Sequence, residues 1–218
     1  MKNYYSILKN CILFDAIESH TMDSMLTCFS AQEKAYKKGE FIFSVGEIPN
    51  KIGIVLSGAI RIIQEDYWGD RSILSKASPG DLFGEAFALT KVSFLPVSVI
   101  ASEATTILLL NPQKIMIPCS SCACHKQLTQ NMLTLLAQKN ISLTQKIEHI
   151  SKRTIREKLM SYLSLQSLQT KSSKFDLSFS RQELADYLAV DRSALSKELG
   201  KMQQDGILSY HRNHFDLH

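Results

Sequence analysis

The stretch Ser180-Arg-Gln-Glu-Leu-Ala-Asp-Tyr-Leu-Ala-Val-Asp-Arg-Ser-Ala-Leu-Ser-Lys-Glu-Leu199 constrains the fold more than any other part of this chain. It spells two short helices joined by a tight turn. Ser180 can cap the first helix, and Glu183 three residues on completes a capping box. Leu184, Ala185 and Leu188 form an apolar face at helical spacing. Ala185 is small, so a second helix can cross closely. Val190 can plug the core at the turn. Asp191 then caps a second helix whose Leu195 and Leu199 face inward.

That arrangement leaves Arg192, Ser193, Ser196 and Lys197 on the outer side of the second helix. Arg grips guanine in bidentate fashion, Lys serves guanine or phosphate, and Ser suits either bases or phosphates. Ser180, Arg181 and Gln182, at the start of the first helix, are placed to hold phosphate. A plain helical hairpin with a solvated polar face would share this spacing, and the protein would then be a ligand-binding module with little specific DNA binding. The sequence beyond it favours the first reading. Gly206 ends the second helix, Ile207–Tyr210 and Phe215–Leu217 read as short strands around the polar turn His211–His214, and Phe175–Phe179 reads as a strand leading in. A helix pair closed by a hairpin is a winged helix-turn-helix, which predicts a partner in double-stranded DNA.

Charge agrees weakly. The 218 residues carry a formal net charge of +4. From Ser151 to His218 there are 11 Lys and Arg against 8 Asp and Glu, and the remainder has 14 against 13. Most of the excess lies where an electrostatic footprint on DNA would require it. No apolar run reaches the length of a membrane span and no secretory signal is visible. The expectation is a cytoplasmic protein, with its five cysteines mostly reduced. His20, His125, His149, His211, His214 and His218 are scattered, and the chain has no Gly-x-Ser-x-Gly, Walker loop or His-Glu-x-x-His, so catalysis is not expected.

The N-terminal half has a different texture. Phe41–Phe43, Ile52–Leu56, Ala59–Ile63, Ser72–Leu74, Val97–Ile100 and Ile107–Leu110 read as short strands, with Gly39, Gly46, Gly58, Gly69 and Gly80 at turns. Many short strands at regular spacing predict a sandwich or barrel. Before Ala31 the chain reads as helical, packing through Phe14, Ile17, Met22, Met25, Leu26 and Phe29. From about Cys122 to Ile150 a long helix carries the apolar stripe Leu128, Met132, Leu135, Leu136, Leu143, Ile147 and Ile150, interrupted at Lys139. Such a helix can pair with its twin in a parallel coiled coil or pack on its own β-domain, on different faces. Pairing is favoured because a helix-turn-helix usually reads paired half-sites. Ser151–Lys158 follows as a basic hinge, where Lys152, Arg153 and Thr154 can meet phosphate or simply be solvated.

This order of parts resembles the Crp/Fnr family of bacterial transcription regulators. The resemblance covers nearly the whole chain and rests on Lys38-Gly-Glu40, Val55-Leu-Ser-Gly58, Pro79-Gly-Asp-Leu-Phe-Gly-Glu85 and the helix pair from Ser180 to Leu199. It implies an α+β architecture. Residues 1–118 would form an effector-sensing, cyclic-nucleotide-binding-like β-barrel (a jelly roll) with N-terminal helices. Residues 119–150 would be a dimerisation helix, and 151–218 a winged helix-turn-helix DNA-binding domain. It also implies a homodimer on a palindromic operator, a small-molecule effector of unknown identity, RNA polymerase as a partner and no membrane. In the family, the positions of Arg192, Ser193, Ser196 and Lys197 contact bases and flanking phosphates. The catabolite-activator branch carries Arg, Glu and Arg there and the anaerobic branch Glu, Ser and Arg. Here Ser193 stands in place of the acidic residue, so a different operator is expected.

The expected effector site comprises Phe83, Gly84, Glu85, Leu95 and Pro96. The family's cyclic-nucleotide sensors follow the Phe-Gly-Glu turn with an Arg-Ser or Arg-Ala-Ala element. Their Glu binds ribose, while the Arg and turn amides hold the cyclic phosphate. The matching stretch here is Phe94-Leu-Pro-Val-Ser98, without a cation. Burying a phosphate against backbone donors alone is costly. Tight cyclic AMP binding is therefore not expected, and Leu95 and Pro96 favour an apolar or neutral ligand. The turn's own hydrogen bonding is an equally good reason for Glu85. A second signal route is Cys119, Cys122, Cys124 and His125, whose thiols and imidazole suit zinc, an iron–sulfur cluster or haem, or are simply buried near a helix start. The sequence names no cofactor.

Overall fold

The computed structural model describes residues 4–65, 67–68, 71–90, 92–117 and 125–218. The chain begins with α1 (Tyr5–Asn10), a 3-10 turn (Ile12–Phe14) and α2 (Ser19–Cys28). Next come β1 (Gln32–Tyr36), β2 (Phe41–Phe43), β3 (Ile52–Ser57), β4 (Ile60–Glu65), β5 (Arg71–Ala77), β6 (Leu82–Phe83), α3 (Glu85–Thr90), β7 (Ser98–Ala101), β8 (Thr105–Leu110) and α4 (Pro112–Met116). The chain continues with α5 (His125–Ile150), α6 (Ile155–Thr170), β9 (Lys174–Asp176), α7 (Arg181–Leu188), α8 (Arg192–Gln204), β10 (Leu208–His211) and β11 (His214–Leu217). Two compact units result, one ending at Leu136 and one beginning at Ala137, so α5 gives its first half to one and its second half to the other. Among the described residues no helix is long and apolar enough to cross a membrane.

The first unit is a β-sandwich of two four-stranded sheets, ordered β1-β8-β3-β6 and β2-β7-β4-β5, with antiparallel pairing throughout. Its central strands explain the continuous apolar runs of the sequence. On β3 and β8, Ile52, Ile54, Leu56, Leu108 and Leu110 pack among the helical residues Leu13, Phe14, Met22, Met25, Leu26 and Phe29, while Val55, Ile107 and Leu109 fill the sandwich interior. Both faces are buried, so alternation disappears. The reverse holds for β1, which the sequence reading missed. It is an edge strand with four of its five residues exposed, so it has no apolar signature. The short elements β6, α3 and α4 were also not foreseen. Two glycines are demanded by contact. At Gly53 an added Cβ would lie 2.1 Å from the Phe83 ring, its cross-strand partner. At Gly58, with φ at +78°, it would lie 2.5 Å from the Ala104 carbonyl.

The first half of α5 belongs to this core through Leu128, Met132 and Leu135. Asn131 is buried beside them and satisfied. Its amide donates to the Leu13 and Asp15 carbonyls at 3.1 and 2.7 Å and accepts from Gln127 at 2.9 Å. A buried amide paired this fully pins the helix instead of destabilising it.

In the second unit α6, α7 and α8 enclose a core with the three-stranded sheet β10-β11-β9. Leu159, Leu163, Leu184, Ala185, Leu188, Leu195, Leu199 and Phe215 are almost wholly buried, and Val190 packs partly against them. Capping sets the boundaries. Ser180 and Glu183 exchange the two bonds of a capping box, and so do Thr154 and Glu157 at the start of α6. Asp191 accepts from the Ala194 amide at 2.9 Å to start α8, and Gly206, at φ +73°, follows its end.

Candidate nucleic-acid interface and sensor site

One face of α8 is spent on the core through Leu195, Leu199 and Met202, and the opposite face is left to solvent. Arg192, Ser193, Ser196 and Lys197 are all exposed there, as the helical spacing predicts. The Ser193 hydroxyl donates to the Asp191 carboxylate at 2.5 Å. That bond, with the Ala194 amide, holds Asp191 below the usual carboxylate range. With its proton committed, Ser193 offers the outside an acceptor. Gly200, unflagged by the sequence reading, shares this face by helical spacing. Nothing lies within 4 Å of where its Cβ would be, so no neighbour in the chain requires glycine. A glycine inside a helix costs about 1 kcal/mol relative to alanine.

At the start of α7 the three predicted phosphate contacts are already engaged. The Ser180 hydroxyl accepts from the Glu183 amide, and the Gln182 amide donates to Asp186 at 2.8 Å. The Arg181 guanidinium donates to the Arg212 carbonyl at the turn between β10 and β11 and lies 5.0 Å from the ring centres of both Tyr210 and Phe215. Its burial there draws its pKa down from the usual guanidinium value. Arg181 thus ties the first helix to the wing, a role that becomes visible only when distant residues are brought together. At the wing tip His211 and Arg212 are exposed. In the hinge Lys152 and Arg153 are exposed, while the Thr154 hydroxyl is taken by the Glu157 amide at 3.1 Å.

A second cluster closes around the end of α5. His149 is buried, with Nδ1 2.8 Å from the Ser161 hydroxyl and its ring edge-on to Tyr162 at 5.7 Å. Tyr187 and Phe179 complete the group, and Lys146 lies over the Tyr187 ring. Burial pushes the Tyr162 hydroxyl up to about 12 and holds His149 below its ordinary range.

Along α5 the structure divides the predicted stripe. Leu128, Met132 and Leu135 face the core, whereas Leu143 and Ile147 are each more than 60% exposed, as is Leu133, which the predicted stripe did not include. Leu133, Leu136, Asn140, Leu143, Ile147 and Ile150 follow one another at alternating steps of three and four, a heptad seam with a single polar member.

Among the described residues, the expected effector positions divide between two cavities and the packed interior. Phe83, Glu85 and Leu95 are buried, and Phe83 meets Phe43 at 5.6 Å inside the sandwich. Gly84 and Leu95 line a cavity of about 30 Å³ with Phe43, Glu47 and Lys51. Pro96 lines another of about 370 Å³ with Phe41, Val45, Ile63 and Val97. The Leu95 amide donates to the Glu47 carbonyl at 2.8 Å, and the Leu95 carbonyl accepts from the Gly46 amide at 2.9 Å. Of the predicted metal-binding set, Cys119, Cys122 and Cys124 lie outside the described residues. His125 opens α5, buried against Phe29 at 5.9 Å, and neither ring nitrogen has a hydrogen-bond partner among the described residues.

A β-sandwich followed by a capped helix pair and a wing defines the class, a DNA-binding regulator with an attached sensor-type domain. Residues 33–117 match the cyclic nucleotide-binding domain family and residues 157–218 the Crp-like helix-turn-helix domain. The chain belongs to the Crp/Fnr family of transcription regulators. It is similar to the transcriptional activator protein Anr of Pseudomonas aeruginosa, with 25% identity over 79% of this chain and 71% of that protein. It is also similar to the cyclic AMP receptor protein of Thermus thermophilus, with 30% identity over 47% and 46%. Among solved structures, the c-di-GMP-responsive regulator CLP of Xanthomonas campestris shares the fold with a TM-score of 0.60 at 18% identity, over 92% of this chain and 99% of that one.

Proposed function

We propose that the protein is a homodimeric, sequence-specific DNA-binding regulator acting in the cytoplasm with RNA polymerase as a partner, and that its β-domain senses a signal other than cyclic AMP. The observation that carries the DNA reading is the two-sided α8, whose inner face is locked by Leu195, Leu199 and Met202 while Arg192, Ser193, Ser196 and Lys197 stand outward. Arg192 and Lys197 supply donors for guanine or phosphate, and Ser193 an acceptor for the amino groups of adenine or cytosine. Gly200 lets the duplex approach more closely than any side chain would permit. Arg181 holds the wing so that His211 and Arg212 reach the backbone beside the groove. Electrophoretic retardation tests this. Arg192→Ala should cost about 1–3 kcal/mol and relax one base position, whereas Lys197→Ala should weaken all sequences alike if it meets phosphate. If both variants retain full affinity and selectivity, the recognition face lies elsewhere.

The heptad seam of α5 supports the homodimer. In a parallel pair Asn140 meets its own copy across the axis, and a lone Asn at such a position favours two strands in one register. Lys139 and Lys146 flank the seam on one side, so an antiparallel pair would set them against their copies. The sensor reading rests on the stretch Phe94–Ser98, which offers a phosphate no cation, and on the Leu95 amide, already committed to the Glu47 carbonyl.

His125 favours a second reading of the signal. His125 is buried with no hydrogen-bond partner among the described residues, and Cys119, Cys122 and Cys124 precede it directly in sequence. Thiolates and an imidazole together suit zinc or an iron–sulfur cluster. Metal analysis and an ultraviolet–visible spectrum of anaerobically purified protein separate the readings. Bound metal or a chromophore lost in His125→Ala supports a metal or redox sensor, and colourless, metal-free protein removes it.

A further inference from the structure

Arg156 and Asp205 each sit at the wrong end of a helix. Arg156 is in the first turn of α6, where the helix dipole disfavours a cation, and Asp205 caps the end of α8, where it disfavours an anion. The structure matches the two misfits. Arg156 Nε lies 2.6 Å from Glu198 Oε1 and its Nη1 2.7 Å from Asp205 Oδ2. The Glu198 side chain is only 18% exposed. The bonds to both carboxylates raise the Arg156 pKa above its usual value. Glu198 and Asp205 are seven residues apart, so one guanidinium grips the same flank of α8 at two points about 10 Å apart along its axis.

We propose that Arg156 is a positioning residue that fixes the rotation of α8 and links its reading face to the hinge. Leu195, Leu199 and Met202 hold the inner face of α8 by packing, which is non-directional and leaves room for a small rotation, and the two directional charged bonds on one flank remove that freedom. A turn of about 20° would move side-chain ends roughly 5–6 Å from the axis by about 2 Å. Base recognition tolerates about 0.5 Å. Arg156 stands two residues after Thr154, which caps α6 as the chain leaves Ser151–Arg153. A change of direction at the end of α5 therefore reaches the start of α6 and, through the fork, the whole of α8. This inference rests on the recognition face proposed above.

The test uses the full chain, with a duplex selected by the wild-type protein from a random pool and a random-sequence duplex of equal length. The readout is the ratio of the two affinities, with thermal melting as a check on folding. Arg156→Gln should lower the ratio by at least about 10-fold. The decisive arm is Glu198→Gln with Asp205→Asn. Removing two negative charges raises general DNA affinity, yet the fork predicts that the ratio falls, and that the triple variant falls no further than Arg156→Gln. If Arg156 instead meets phosphate, Arg156→Gln lowers both affinities together and the acidic pair leaves the ratio intact. That result would overturn the proposal, as would a strictly additive triple variant. If Arg156→Gln fails to fold, the acidic pair decides alone. A wild-type protein that selects no sequence would overturn the recognition face and the fork together.

Discussion

The reading helix α8 and the barrel turn around Phe83 treat their candidate contact groups in opposite ways. On α8 the four candidate contact residues are exposed on a helix locked from behind by Leu195, Leu199 and Met202. At the barrel turn Phe83, Glu85 and Leu95 are buried, the cavity beside Gly84 and Leu95 is about 30 Å³, and the one beside Pro96, about 370 Å³, lies at the low end of the 300–1,000 Å³ usual for a ligand. A site for a long polyanion is built outward and needs no enclosure. A site for a small molecule is walled by the same apolar residues that make a core. The two regions therefore differ in how far function can be separated from packing.

Four changes test that contrast. The largest effect is expected on α5. Leu143→Glu with Ile147→Glu places charge on an exposed seam without touching either core. It should yield a monomer and weaken binding to a paired site by more than about 100-fold. Light scattering and retardation check it, and an unchanged mass would remove the dimer from the account. Next comes Gly53→Ala, which drives a methyl into the Phe83 ring and should destabilise the β-sandwich by about 1–3 kcal/mol. Melting followed in each unit should show the loss in the sandwich alone.

Gly200→Ala separates stability from reading more directly. It should stabilise α8 by about 1 kcal/mol and yet weaken DNA binding. An increase in both would mean that nothing approaches Gly200. The smallest effect is a pH dependence. Burial holds His149 below its ordinary range, so the unfolded chain takes up this proton at a higher pH than the folded one. The stability from neutral His149 is complete above the unfolded value of about 6.5 and declines as pH falls from there toward the lower folded value. Ser161, Tyr162, Tyr187, Glu148, Lys146 and Lys152 surround or flank the ring. Urea midpoints between pH 8 and pH 5 should fall more steeply for wild type than for His149→Gln.

Much of the fold was legible because caps and periodicities are local. Ser180 with Glu183, Asp191, Gly206 and the inward leucines are where their spacing places them. The six apolar strands were legible for the same reason. β1 was not, because an exposed edge strand carries no pattern. The exposed face of α8 could be read because the spacing of inward and outward residues on one helix is local. Arg156 and Arg181 could not, since their meaning lies in Glu198, Asp205 and the wing rings, 29 to 49 residues away. Gly200 did leave a signal, a glycine inside a helical pattern.

The central claim is that α8 of a paired molecule reads specific DNA. Selection of bound duplexes from a random pool by the purified full chain tests it most directly. The expected result is an enriched palindrome whose half-sites are centred about 10 base pairs, or a multiple of one helical turn, apart. Arg192→Ala should select a pool relaxed at one symmetric pair of positions. A pool that stays random, or one that Arg192→Ala, Ser196→Ala and Lys197→Ala all leave unchanged, would contradict it.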